Sequence, residues 1–148
     1  SIQMAVSKHL TFVGEAPDQD LPFWYNLCDL FAMPNRDVGN DTEGFGMVFI
    51  EANACGKPVI AGIAGGTGSA VIDGQTGIRL DGTKVDEVGQ GVIQILRNPG
   101  LASRLGHAGL VRAGQSFGWQ SVAARTRDVL AGLDAQHRQP SPDFKKEG

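Results

Sequence analysis

The sequence predicts an α/β domain: a mostly parallel, Rossmann-like sheet flanked by helices. Three observations carry that expectation. Short apolar runs alternate with segments of helical period along the chain. Glycine is abundant, with 21 of 148 residues, and most of it falls between those segments, as tight βα and αβ connections require. Hydrophobic residues make up 41% and charged residues 20%, a balance that lets a chain of this length bury a real core.

Residues 9–14 (HLTFVG) read as a first short strand. Residues 18–29 read as a helix with Pro22 in its first turn, Asp20 placed to cap it, and Leu21, Trp24, Tyr25 and Cys28 on one face. Residues 30–34 (LFAMP) form a second apolar strand, and 35–42 a polar loop. Residues 47–54 are good helix material, with Gly56 as a natural stop. A third strand is expected at 58–62 (PVIAG), and a fourth at 77–81 (GIRLD) after the Asp73-Gly74 turn. From Val85 the period becomes helical, with Val85, Val88, Val92 and Leu96 on one stripe. Gly89 and Gly91 each cost that helix about 1 kcal/mol against alanine, so close packing is expected there. Leu101, Leu105 and Ala108 mark another helix, and Trp119, Val122, Thr126, Val129 and Leu133 a last one. Residues 1–134 are thus expected to be one domain and 135–148 a polar, disordered tail.

Charge excludes some functions. The net charge is −3 and no basic stripe is present, so nucleic acid is not expected as a partner. No run approaches a membrane span and no signal peptide is visible, so the expected location is cytoplasmic. Cys28 and Cys55 lack the close spacing of a zinc or redox site and are expected to be reduced and buried. His9, His107 and His137 form no ligand cluster; no metal and no cofactor are expected.

The stretch EGFGMVFIE (residues 43–51) carries the chemistry. Two carboxylates, Glu43 and Glu51, bracket a helix start whose glycines, Gly44 and Gly46, leave the first amides unshielded. Those amides and the positive end of the helix dipole suit a phosphate. Eight residues at helical rise put the carboxylates roughly 12 Å apart along the axis, about the length of a diphosphate flanked by two sugars. Taken singly, Glu43 would merely favour a helix N-terminus, and Glu51 would sit on a solvated face. Against that, Glu51 interrupts the apolar residues Phe45, Met47, Val48, Phe49, Ile50, Ala52 and Ala54, where a carboxylate is costly unless hydrogen-bonded or facing a ligand.

Two other motifs are weaker. The loop from Gly66 to Val71 (GTGSAV) has Val71 where a dinucleotide-binding loop needs a third small residue, and it lacks a P-loop ending. It is satisfactory as a plain turn or as a backbone lip near a ligand. Asp18-Gln19-Asp20 has a spacing that could hold a divalent ion, but helix capping accounts for it more simply.

EGFGMVFIEANACGKPVIAGIAGG, residues 43–66, closely resembles the signature of the retaining glycosyltransferases of family four, in the large GT-B group. HLTFVG, DLPFWYNLCDLFAMPNR, AVIDGQTGIRLDG and the late FGW match in order, so the resemblance covers about residues 9–133. The DLFAMPNR phrasing looks most like bacterial mannosyltransferases. The resemblance implies a partial C-terminal, nucleotide-sugar-binding domain of a two-domain enzyme. Glu43 would then be the catalytic-site residue that contacts the transferred sugar. The backbone of Gly44, Phe45, Gly46, Met47 and Val48 would meet sugar and diphosphate, and Glu51 the ribose hydroxyls. Gly14, Glu15 and Ala16 would lie near the base, and Asn35 and Arg36 in a loop close to the site. Gly68 and Ser69 depart from the family's usual proline and acidic residue.

The family's Arg and Lys that neutralise the leaving diphosphate are expected upstream of Ser1, together with an N-terminal domain that binds a sugar or lipid acceptor. The expected activity is transfer of a hexose from a nucleotide diphosphate sugar, GDP-mannose or a UDP-sugar, to a hydroxyl, with retention. The chain alone is expected to be inactive, and the full-length protein could sit peripherally on a membrane. The alternatives are a non-catalytic nucleotide-sugar-binding module and a GT-B-fold epimerase or hydrolase.

Overall fold

The computed structural model describes residues 7–137. Its centre is a parallel sheet of β1 (Phe31–Met33), β2 (Val59–Gly62) and β3 (Ile78–Leu80), in that spatial order. Ala32 pairs with Ile60, and Ile60 with Ile78. All four residues of β2 are buried, as an uninterrupted run of apolar and small residues allows in a strand covered on both faces. Side-chain alternation along β2 divides the core. Val59 and Ala61 join a cluster with Tyr25, Phe49, Ile50, Ala52 and Val71, while Ile60 joins Leu80, Ile95 and Leu105.

Among the described residues five helices accompany the sheet: α1 (Leu21–Leu27), α2 (Met47–Ala54), α3 (Val85–Leu96), α4 (Pro99–Arg112) and α5 (Trp119–His137). The end of α2 is the one expected. Gly56 takes φ +70°, Gly56 N donates to Asn53 O at 2.8 Å, and Lys57 N donates to Ala52 O at 3.0 Å. That pair of bonds is a Schellman motif. Helix α4 starts with Pro99 after Asn98, whose side-chain oxygen accepts from Leu101 N at 2.9 Å. A π-helical turn, Ala113–Phe117, joins α4 to α5.

Several expectations need correction. Residues 9–14 are not a strand: Leu10, Phe12 and Val13 are 56%, 94% and 48% exposed. A strand exists only through ladder hydrogen bonds, and among the described residues no neighbour supplies them there. The helix expected over 18–29 is a 3₁₀ turn, Asp18–Asp20, followed by the shorter α1. Asp20 does not cap it by side chain, because its backbone is already αR (φ −94°, ψ −12°), whereas a capping residue is extended. Main-chain bonding serves instead, with Asp20 N donating to Pro17 O at 2.9 Å.

The stripe on α3 is also displaced. Val85 and Leu96 are exposed, and the face turned to the sheet carries Val88, Gly91, Val92 and Ile95. Gly91 sets this, since a Cβ there would come 2.9 Å from Leu80 Cδ2; beside Gly89 there is open space. Met47 and Ala54 are exposed, so the apolar run around Glu51 is not wholly buried. Cys28 and Cys55 are free thiols as expected, but half-buried. Helix α5 runs through His137, into the stretch expected to be tail, and residues 138–148 lie outside the described residues.

Candidate functional site

The site is built where β1 and β2 end and α2 begins. Gly46 adopts the left-handed conformation (φ +81°) that turns the chain into α2. Phe49 N donates to Gly46 O at 3.0 Å. Among the described residues no acceptor is found for the amides of Met47 and Val48, the orphan donors of a helix first turn. Phe45 N is 3.4 Å from Glu43 Oε1, so the carboxylate of Glu43 reaches back toward the same turn.

What holds Glu43 in place is the double glycine after β2. Gly66 N donates to Glu43 O at 2.9 Å. A Cβ at Gly65 would overlap Glu43 O, and one at Gly66 would overlap Gly44 O. Through Gly66, the GTGSAV loop gives backbone support beneath the glutamate turn. Thr67 is fully buried and donates Oγ1 to Gly62 O at 2.7 Å. Arg112 donates to Ser69 O at 2.7 Å and Ala70 O at 2.6 Å, with its guanidinium 4.7 Å from the centre of the Phe117 ring. Burial lowers the Arg112 pKa from its ordinary value. Phe117 meets Phe45 edge-on at 5.8 Å, so the half-buried Phe45 ring packs against the turn that leads into α5.

Asn35 proves to be a brace. Its side chain accepts from Gly62 N at 2.9 Å and donates to Ala64 O at 3.0 Å, tying the end of β1 to the end of β2. Gly62 and Gly82 leave room for the Asn35 backbone. Arg36 is exposed and lines a hollow of about 330 Å³ with Asn35, Val38, Asp41, Thr42 and Glu43. Thr42 donates to Asp37 beside it, and Val38 and Asp41 exchange main-chain bonds at 3.0 Å.

Glu51, half-buried one face along α2, opens on a different cavity of about 490 Å³ with Asp18, Leu21, Pro22, Tyr25, Ala54 and Cys55. Tyr25 donates its hydroxyl to Glu51 Oε2 at 2.8 Å. Burial, then the bond and charge of Glu51, push the Tyr25 phenol far above its ordinary value, so it remains a donor. Gly14 (φ +76°), Ala16, Leu21 and Tyr25 line an adjoining hollow of about 320 Å³, with Glu15 exposed at its edge. Arg36 and Glu43 therefore share one hollow, and Glu51 and the Gly14 turn flank Tyr25.

Sequence reasoning missed Tyr25, the seat made by Gly65 and Gly66, and Arg112. The double glycine directly after a buried strand was the available signal for the seat. No local pattern announces Tyr25 or Arg112, whose partners lie 26 and about 42 residues away. Among the described residues no group of three His, Cys, Asp or Glu is placed to hold a metal ion, and no helix is long and apolar enough to cross a membrane.

A parallel sheet with a helix start at its C-terminal edge is the place where open α/β folds bind their ligands. The sequence pattern of the family described as glycosyl transferases group 1 matches residues 2–111, and the chain belongs to that family. It is 40% identical over 131 residues to a GDP-mannose-dependent alpha-(1-6)-phosphatidylinositol monomannoside mannosyltransferase of Mycolicibacterium smegmatis, covering 87% of this chain and 34% of the relative. It is 36% identical over 129 residues to a D-inositol 3-phosphate glycosyltransferase of Streptomyces bingchenggensis, covering 87% of this chain and 27% of that one. Among solved structures, sucrose-phosphate synthase from Thermosynechococcus elongatus superposes with a TM-score of 0.76 at 30% identity, over 91% of this chain and 34% of that chain. The chain thus spans about a third of the length of these relatives.

Proposed function

We propose that this chain is the donor-binding part of an enzyme that moves a hexose from a nucleotide diphosphate sugar to a hydroxyl acceptor, with retention of configuration. The observation that carries the reading is the start of α2, with unpaired amides at Met47 and Val48, seated on Gly65 and Gly66 between two half-buried glutamates. Glu43 and Arg36 face the transferred sugar, and the amides from Gly44 to Val48 meet the diphosphate. Glu51 accepts from the ribose hydroxyls, and the Gly14-Glu15-Ala16 turn lies at the base. GDP-mannose is the first donor to try, since the 40% identical relative carries that dependence in its name. The acceptor is a sugar or a lipid-linked polyol, in keeping with the inositol compounds named for both curated relatives.

In this reading the chain's residues act by position and charge. The amides and the dipole of α2 stabilise the diphosphate as it leaves, a contribution that grows as charge develops. The two glutamates hold the donor at both ends and so fix the anomeric carbon against the acceptor. Neither is assigned as nucleophile or general base, and no metal or cofactor enters the proposal. The free thiols Cys28 and Cys55 support a cytoplasmic location, with peripheral membrane contact where the acceptor is a lipid.

Isothermal titration of the chain with GDP-mannose, UDP-glucose, GDP and UDP tests the reading. Binding of one nucleotide pair is expected, with Glu43→Ala weakening the sugar nucleotide more than the free nucleotide. If no nucleotide bound, or if both ligands lost affinity equally on that substitution, the donor-site assignment would be wrong. Without an acceptor-binding partner the chain is expected to show no transfer.

A further inference from the structure

Tyr25 is not part of the glutamate signature, yet it touches Glu51 and lines two hollows of the proposed site. Its hydroxyl donates to Glu51 Oε2 at 2.8 Å, and its ring lines both the cavity of Glu51 and the hollow of Gly14 and Ala16. The residue is buried, and the ring is held edge-on to Phe31 at 5.5 Å, which in turn meets Phe49 of α2 at 5.9 Å. Those contacts fix the ring, and a fixed ring fixes the hydroxyl.

A glutamate on a helix has three rotatable bonds and, unheld, would spread its carboxylate over several rotamers. A bond from a buried phenol selects one of them. It also occupies Oε2 and leaves Oε1 to accept, since an ionised carboxylate has more acceptor sites than one donor fills. No other side chain among the described residues is recorded as bonding to Glu51. The orientation of the carboxylate therefore depends on Tyr25.

We infer that Tyr25 is a positioning residue that presets Glu51 for the vicinal hydroxyls of the ribose and so sets the preference of the site for ribonucleotides over nucleotides lacking those hydroxyls. This rests on the donor-site reading above. A mere structural brace would affect every nucleotide alike, whereas a positioning role affects only ligands that present the diol.

The test is calorimetric titration of the 148-residue chain with GDP and UDP, each against its 2′,3′-dideoxy counterpart. The wild-type chain is expected to prefer the ribonucleotide of its cognate base. Tyr25→Phe keeps the ring packing and is expected to weaken that ribonucleotide about tenfold, while the dideoxy form changes less than about twofold. Glu51→Asp withdraws the carboxylate from the phenol by one methylene and is expected to lose the same preference, with no further loss when Tyr25→Phe is added. Equal weakening of both nucleotides by Tyr25→Phe, or full preference retained in either single variant, would overturn the positioning role while leaving the donor site standing. If the wild-type chain bound both nucleotides equally, the ribose role of Glu51 would fail and this inference with it. If neither base bound, both readings would fail together.

Discussion

Tyr25 shows how one buried hydroxyl can connect chemistry to stability. Its phenol is surrounded by Glu51 from α2, by Cys55 just beyond that helix, and by Cys28 at the end of its own. Burial opposes a phenolate most, followed by the hydrogen bond and charge of Glu51 and then the two thiols, so its folded-state pKa stands well above the ordinary value of about 10. The linkage sign follows. Above about pH 10 the unfolded chain has released this proton and the folded chain has not, so the unfolded state binds fewer protons and stability falls as pH rises. Below about pH 10 both states hold the proton and the contribution is complete. Burial also pushes the Cys28 thiol up, with the same sign, so the comparison belongs in a Cys28→Ser background. Denaturant titrations between pH 9 and 11.5 should show a loss approaching about 1.4 kcal/mol per pH unit at the alkaline end, the limit for one proton. Tyr25→Phe should flatten that slope. An unchanged slope would mean that the phenol is not held as described.

At the scale of the element, α2 is clamped at both ends by glycines on other elements. At its start, Gly65 and Gly66 admit the backbone of Glu43 and Gly44; at its end, Gly106 of α4 admits Gly56 O, and Gly109 admits the side chain of Asn53. Asn53, almost fully buried, donates to Lys57 O at 3.0 Å and Thr76 O at 3.1 Å, so the helix end is tied to the turn before β3. The two clamps predict different phenotypes. Gly66→Ala and Gly106→Ala should each cost about 1–3 kcal/mol, the usual penalty of forcing atoms into filled space. Only Gly66→Ala should also abolish nucleotide binding at temperatures where the protein is folded, because it displaces Glu43 and the first turn of α2. Equal binding by both variants would remove the seat from the site. Much of this element was legible in the sequence: the helix limits and the Gly56 stop follow from local propensity. The strand expected at 9–14 and the stripe on α3 were misread because each depends on a distant partner. Residues 9–14 carry apolar side chains but find no ladder among the described residues, and Gly91 outweighs Leu96 because it must pass Leu80.

For the whole molecule, the arrangement of the core separates a tight part from a loose one. Both apolar clusters centre on β2, one drawing in residues of α1, α2 and the π-helical turn at Ala113 and Phe117, the other residues of α3 and α4; among the described residues neither contains one of α5. Trp119, Val129, Leu130 and Leu133 are 88%, 63%, 59% and 49% exposed, and a hollow of about 770 Å³ lies along their helix. Free energies of local opening follow the buried contacts that each segment would lose. Amide hydrogen exchange should therefore protect β2 and α2 up to the global unfolding free energy, and α5 much less. A nucleotide that binds only the folded site stabilises it by mass action. Saturating GDP or UDP should slow exchange in α2, β2 and the loop of Gly65 and Gly66, while amides of α5 beyond Trp119 exchange at their unliganded rate. Uniform slowing across α5 would mean that this helix closes over the donor site as one cooperative unit with the sheet. Slowing confined to α2, β2 and that loop would assign the site to those elements and leave α5 outside it.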